Sequence, residues 1–219
     1  MIAPVELALI GLAQICWFIY LLDILKARLS PLGRIAKPAS ILALALLGLV
    51  TQAPWLLVAA LLFSSIGDFA LTFEGQKAFL RGLIAFAIAH LFYLAMFSRF
   101  VEIPALVELH SYTRPEILAL LVAMVAAVSL IYPKAGSLKG PVSVYMLIIF
   151  VMAVFGLQIP FPFRLAALGV ALFVISDFIL GLREFRDIQS ARTDKFMSIG
   201  VWVFYWFGQF LILAGFIYP

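Results

Sequence analysis

The sequence predicts an all-α protein, a polytopic bundle of eight transmembrane helices with both termini on the non-cytoplasmic side. Three observations predict it. Of the 219 residues, 66% are hydrophobic and only 12% charged, with a mean hydropathy of +1.18. A soluble domain is roughly 45–50% apolar and about 25% charged. A core of this size cannot hide so much apolar surface, so the bilayer serves as solvent. The apolar residues also fall in runs close to the roughly 20 residues that cross a hydrocarbon core, and the basic residues crowd into alternate loops.

The runs lie at about 4–25, 36–52, 54–73, 79–100, 115–132, 140–158, 162–182 and 196–217, and together they form a single transmembrane domain. The second begins at "KPAS", where Pro38 suits a first helical turn. "TQAPW" marks a tight turn before the third. "YPKAGSLKGP" and "QIPFPF" break the chain between the fifth, sixth and seventh. The loops after the odd-numbered spans hold 12 Lys and Arg residues: Lys26, Arg28, Arg34, Lys37, Lys77, Arg81, Lys134, Lys139, Arg183, Arg186, Arg192 and Lys195. The other side holds three, Arg99, Arg114 and Arg164. That split places the odd-span loops in the cytoplasm, and it supports the span count, because a missed span would scramble the alternation.

The net charge of +4 sits in short loops, which suits topology and not nucleic-acid binding. The single cysteine, Cys16, lies in an apolar run and excludes an intramolecular disulfide. His90 and His110 are the only histidines, and no Cys/His spacing points to a metal, so no metal or cofactor is expected. No basic residue precedes Lys26, so residues 5–25 read as a retained first span and not a signal peptide. Short loops without targeting additions suit a bacterial inner membrane.

Polar groups at membrane depth carry the functional question, because a carboxylate there costs roughly 2.5–3.5 kcal/mol on insertion scales. Asp68 sits in "LLFSSIGDFALTF" and Asp177 in "LFVISDFILGL", each as small residue–Asp–Phe–x–Leu. They fall on the third and seventh spans, which run in the same direction, so a parallel four-plus-four repeat is possible. His90 and Tyr93 share a face of the fourth span, and Tyr205 and Gln209 share a face of the eighth. Tyr145 lies in the cytoplasmic half of the sixth, and Lys37 at the cytoplasmic start of the second. Most of these groups fall in the cytoplasmic half of the bundle, which predicts one polar cavity facing the inner leaflet. Asp23 and Glu74 are close enough to span ends to be solvated. Gly67 and Ser176, beside the two acids, permit close helix approach.

Two carboxylates in a low-dielectric cavity need not share one protonation state, and that suits general acid–base hydrolysis. His90 would tune the pair or relay a proton. There is no G-x-S-x-G elbow and no phosphate-cradling glycine loop. Composition and spacing alone leave an enzyme and a proton-coupled transporter nearly level, with a non-enzymatic lipid-binding protein as a third reading.

Six stretches bring a family into view: "AKP" (36–38), "FSSIGDFAL" (63–71), "FLRGLIAFAIAHLFY" (79–93), "GPVSVYM" (140–146), "ALFVISDFIL" (171–180) and "FYWFGQFLI" (204–212). In order and spacing the chain resembles the YhhN-like family of membrane proteins, which includes lysoplasmalogenases. Trp206 stands where the family pattern usually has a second aromatic beside the eighth-span tyrosine. The resemblance implies an eight-helix membrane enzyme that hydrolyses the vinyl ether bond of a lysoplasmalogen, a lysophospholipid, releasing a fatty aldehyde and glycerophosphocholine or glycerophosphoethanolamine. The family's polar positions correspond to Lys37, Asp68, His90, Tyr93, Tyr145, Ser176, Asp177, Tyr205 and Gln209. Under that reading one of Asp68 and Asp177 is the general acid and the other the base. His90 assists them, Lys37 meets the lipid phosphate, and Tyr145, Tyr205 and Gln209 hold glycerol or water. The resemblance moves the enzyme ahead of the carrier.

Overall fold

A computed structural model describes residues 3–101, 115–186 and 188–218. His110, Arg114 and Asp187 lie outside the described residues. Within them, eight α-helices follow one another: α1 (Pro4–Leu25), α2 (Pro31–Val50), α3 (Trp55–Ala70), α4 (Gln76–Phe97), α5 (Pro115–Leu130), α6 (Lys139–Leu157), α7 (Arg164–Phe185) and α8 (Ala191–Ile217). Two short 3-10 turns, Tyr132–Lys134 and Gly136–Leu138, join α5 to α6. Seven helical spans are long and apolar enough to cross a bilayer, α5 being counted through its 3-10 turn as Pro115–Lys134, while α3 is apolar but only 16 residues long. Many large apolar side chains face outward, Trp55 at 64% and Val122 at 70% exposure among them. That is the surface of a bundle whose solvent is lipid, and the chain is a multi-pass integral membrane protein.

The second helix begins five residues earlier than the apolar run predicted. Ser30 caps it, its Oγ accepting from Gly33 N at 2.9 Å, and Pro31 takes the first turn. Pro38 is therefore inside the helix and not at its start. The polar opening turn hid this extension from a reading based on hydropathy. Asp23 of α1 accepts from both Ser30 N and Ser30 Oγ at 2.7 Å, locking the α1–α2 turn. A Cβ on Gly33 would lie 1.9 Å from Asp23 Oδ2, so only glycine admits that carboxylate.

Helices α7 and α8 pack most closely. A Cβ on Gly169 would sit 2.6 Å from Gly208 O, and one on Gly215 2.5 Å from Ala166 N. Small residues thus bring the two backbones together, as in membrane helix pairs generally. Ser176 Oγ donates to Val201 O at 3.0 Å across the same seam. On the other side of the bundle, Gly67 of α3 makes room for the Phe86 ring of α4, which would meet a Cβ at 2.6 Å. Buried Leu44, Leu57, Leu61, Phe97, Phe173 and Trp202 fill the centre. These contacts hold α2, α3, α4, α6, α7 and α8 around a polar interior near the end that carries Arg28, Glu74 and Lys195.

Candidate active site

Asp68 projects from α3 into the bundle and is 1% exposed. Lys37 Nζ of α2 lies 3.4 Å from its Oδ1, and Tyr205 OH of α8 donates to its Oδ2 at 2.7 Å. Lys37 is buried because α2 starts at Pro31, which carries the lysine well into the helix. Its ammonium also stands 5.5 Å from the centre of the Tyr20 ring, a cation–π contact that helps offset desolvation. The ammonium, the phenol and the ring together match a carboxylate at Asp68.

Asp177 of α7 has a different environment. Tyr145 OH of α6 donates to Oδ2 at 3.1 Å, and His90 Nε2 of α4 lies 3.4 Å from the same oxygen. His90 is fully buried, and its Nδ1 is 2.6 Å from Phe86 O. A carbonyl accepts and does not donate, so Nδ1 carries a proton. Nε2 has no hydrogen-bond partner, and Asp177 is the charged neighbour within reach. His90 Nε2 therefore faces the Asp177 carboxyl across 3.4 Å. Phe173 separates the two clusters, with its ring centre 4.7 Å from His90 and 5.4 Å from Tyr205.

A third polar group lies deeper. Tyr93 OH donates to Gln209 Oε1, and Gln209 Nε2 donates to Ser64 Oγ at 2.9 Å. Tyr93, Gln209 and Ser64 are fully buried. They stand behind Tyr205 and brace α3, α4 and α8.

A cavity of about 560 Å³ enters the bundle from the basic end. Lys37, Asp68, Ser176, Asp177 and Tyr205 line it, and the exposed Arg28 and Glu74 stand at its rim. The structure thus brings six of the nine singled-out residues to the cavity wall or directly against it: Lys37, Asp68, Tyr205, Asp177, Ser176 and Tyr145. His90 is held against Asp177, while Tyr93 and Gln209 fall in the layer behind. Ser64 and Tyr20 were not singled out from the sequence. Ser64 sits inside the quoted "FSSIGD", but a serine in a membrane helix carries no distinguishing signal. Tyr20 lies on the first helix, outside the recurring motifs. Asp23 lines the cavity but is committed to the Ser30 turn, and Arg183 is paired with Asp194 at 2.7 and 3.2 Å. Among the described residues, no three His, Cys, Asp or Glu side chains converge as a metal site.

The chain is similar to known proteins. Two relatives named lysoplasmalogenase, from Mycobacterium bovis and Mycobacterium tuberculosis, are each 29% identical over 168 residues. That alignment covers 74% of this chain and 60% of each relative's length. No solved structure matches the chain. The model of the YhhN family matches residues 32–216, which takes in α2 through α8 and every residue of the three polar clusters except Tyr20, and the chain belongs to that family.

Proposed function

We propose that this protein hydrolyses the vinyl ether bond of lysoplasmalogens within the membrane, using Asp177 with His90 as proton donor and Asp68 as the facing carboxylate. The observation that carries the reading is a shared cavity with unequal partners: Asp68 and Asp177 both line it, the first beside the Lys37 ammonium, the second beside the His90 imidazole. The curated name of the mycobacterial relatives points to the same substrate class.

The chemistry fits that asymmetry. Protonation of the vinyl ether β-carbon converts the ether oxygen and its α-carbon into an oxocarbenium ion. The proton comes from the His90–Asp177 pair. The Asp68 carboxylate stabilises the cation and takes a proton from the water that adds to the α-carbon. The resulting hemiacetal collapses: the carbon–oxygen bond to glycerol breaks as Asp68 passes its proton to the glycerol oxygen, the hemiacetal hydroxyl returns a proton to the His90–Asp177 pair, and a fatty aldehyde leaves. One water is consumed and no redox partner is needed. Lys37 faces Asp68, so its part is to hold that carboxylate. Arg28 and Lys195 at the mouth are better placed for the lipid phosphate. The cavity opens to the cytoplasmic side of a bacterial inner membrane in this reading, and a one-chain lipid enters from the inner leaflet.

The test is aldehyde release by the purified protein in detergent, from a lysoplasmalogen and from its saturated alkyl-ether analogue. Aldehyde from the vinyl ether alone is the expected result. Asp177→Asn and Asp68→Asn should each lower kcat by about 10²-fold or more, the scale of general acid–base catalysis. A folded wild-type protein that releases no aldehyde refutes the assignment.

A further inference from the structure

A second, apolar cavity of about 90 Å³ lies beside the first, bounded by α4, α5, α6 and α7. Leu71, Phe79, Phe86, Asp177 and Leu180 line both. Asp177 is therefore the only carboxylate on the boundary between a polar space and an apolar one, among the residues lining the two. The apolar lining comes from single helical faces: Leu120, Ala123, Met124 and Ala127 on α5, and Tyr145, Met146, Ile149 and Phe150 on α6. The lined face runs from Leu120 on α5 to Ile131 just past its end, about 16 Å at the helical rise.

We infer that this slot is the seat of the substrate's hydrocarbon chain, and that its α5 wall sets the register of the reacting bond against Asp177. The inference rests on the hydrolase reading above. The occupant follows from continuity. A lysolipid is a polar headgroup joined to one unbranched chain, and the bond to be broken is at the join. The headgroup matches the larger cavity with its charged rim, the chain matches the slot, and the join then falls at Asp177. Lipid tails are as apolar as the slot lining, so the slot adds little affinity over the bilayer. Its effect is positional and should appear in kcat.

Ala123 is one turn deeper along α5 than Ala127. Ala123→Trp fills the deep part of the slot and leaves the part next to Asp177 open. With a hexadecenyl lysoplasmalogen, kcat should fall about 10²-fold, the scale expected for displacement of a reacting group by an ångström. A butenyl analogue should be cleaved as by wild type, which also shows that the variant is folded. Val125→Trp, on the lipid-facing side of the same helix at 66% exposure, should leave both substrates unaffected. Equal loss on both chain lengths, or no loss on either, overturns the slot assignment while the hydrolase reading stands.

A non-cleavable alkyl-ether lysophosphocholine with a diazirine at its chain end gives a readout that does not need turnover. Irradiation should label α5 and α6 in the wild type and lose that label in Ala123→Trp. Label confined to other helices overturns the inference. If the wild type cleaves neither vinyl ether, the hydrolase reading fails, and the crosslink alone then decides whether the slot takes a chain.

Discussion

Asp68 and Asp177 occupy matching sequence patterns, yet their neighbours give them different charge environments. Asp68, 1% exposed, meets an ammonium at 3.4 Å. Removing one member of a buried pair leaves the other charge unmatched, at a cost of about 3–5 kcal/mol. Lys37→Met should therefore lower the thermal unfolding midpoint in detergent, and Lys37→Met combined with Asp68→Leu should recover most of the loss. A single variant as stable as wild type would mean that Lys37 does not hold Asp68. Tyr205→Phe removes one hydrogen bond to a charged acceptor, worth about 1.5–3 kcal/mol, and its effect should be lost in an Asp68→Leu background, which has no acceptor. Both acids were legible in the sequence, because a carboxylate inside an apolar run is conspicuous. Their partners were not, because which helices become neighbours is a long-range outcome. Lys37 read as a phosphate ligand at a span's start, but the Ser30–Pro31 cap moves the start outward and turns the lysine into an internal counter-ion.

At the scale of the helices, the all-helical character followed from composition, while the contacts that set the site depend on a few small residues. Gly169 and Gly208 face each other's backbones across α7 and α8. A Cβ at Gly208 would lie 2.9 Å from Gly169 O and 3.0 Å from Phe173 N, and backbone atoms cannot rotate away. Gly208→Ala should therefore cost about 1–3 kcal/mol, as overpacking does. It should also lower activity, since Asp177 and Tyr205 ride on the two separated helices. Gly11→Ala is the matched control: nothing lies within 4 Å of its added methyl, and it should be neutral or stabilising by about 0.5–1 kcal/mol. Equal melting temperatures for the two variants would remove the glycine seam as the feature that aligns α7 and α8. Gly67, beside Asp68, lets α4 come close: its carbonyl oxygen lies 3.5 Å from where a Cβ on Gly82 would sit, and it admits the Phe86 ring, which in turn packs edge-on against Tyr205 at 5.7 Å.

Across the whole molecule, the two acids show a common plan. Asp68 on α3 is held from α2 and α8, and Asp177 on α7 is held from α6 and α4. In each case the partners are the preceding helix of the same four and the last helix of the other four, the relation that a four-plus-four repeat would create. The two halves differ in what they present, Lys37 in one and Tyr145 in the other, Tyr205 in one and His90 in the other. That difference makes a site with two unlike carboxylates at a single end of the bundle. An enzyme drawing on the inner leaflet needs that end in the cytoplasm, as the loop charges predict. Phe161, 84% exposed, lies in the α6–α7 connection, and the exposed Ser137 in the α5–α6 connection at the basic end. Single-cysteine variants Phe161→Cys and Ser137→Cys in a Cys16→Ser background should therefore respond oppositely to a membrane-impermeant maleimide. In intact spheroplasts the first should be labelled at once, and the second only after permeabilisation. Immediate labelling of Ser137→Cys would put the cavity mouth outside the cell, and the substrate would then have to arrive from the outer leaflet.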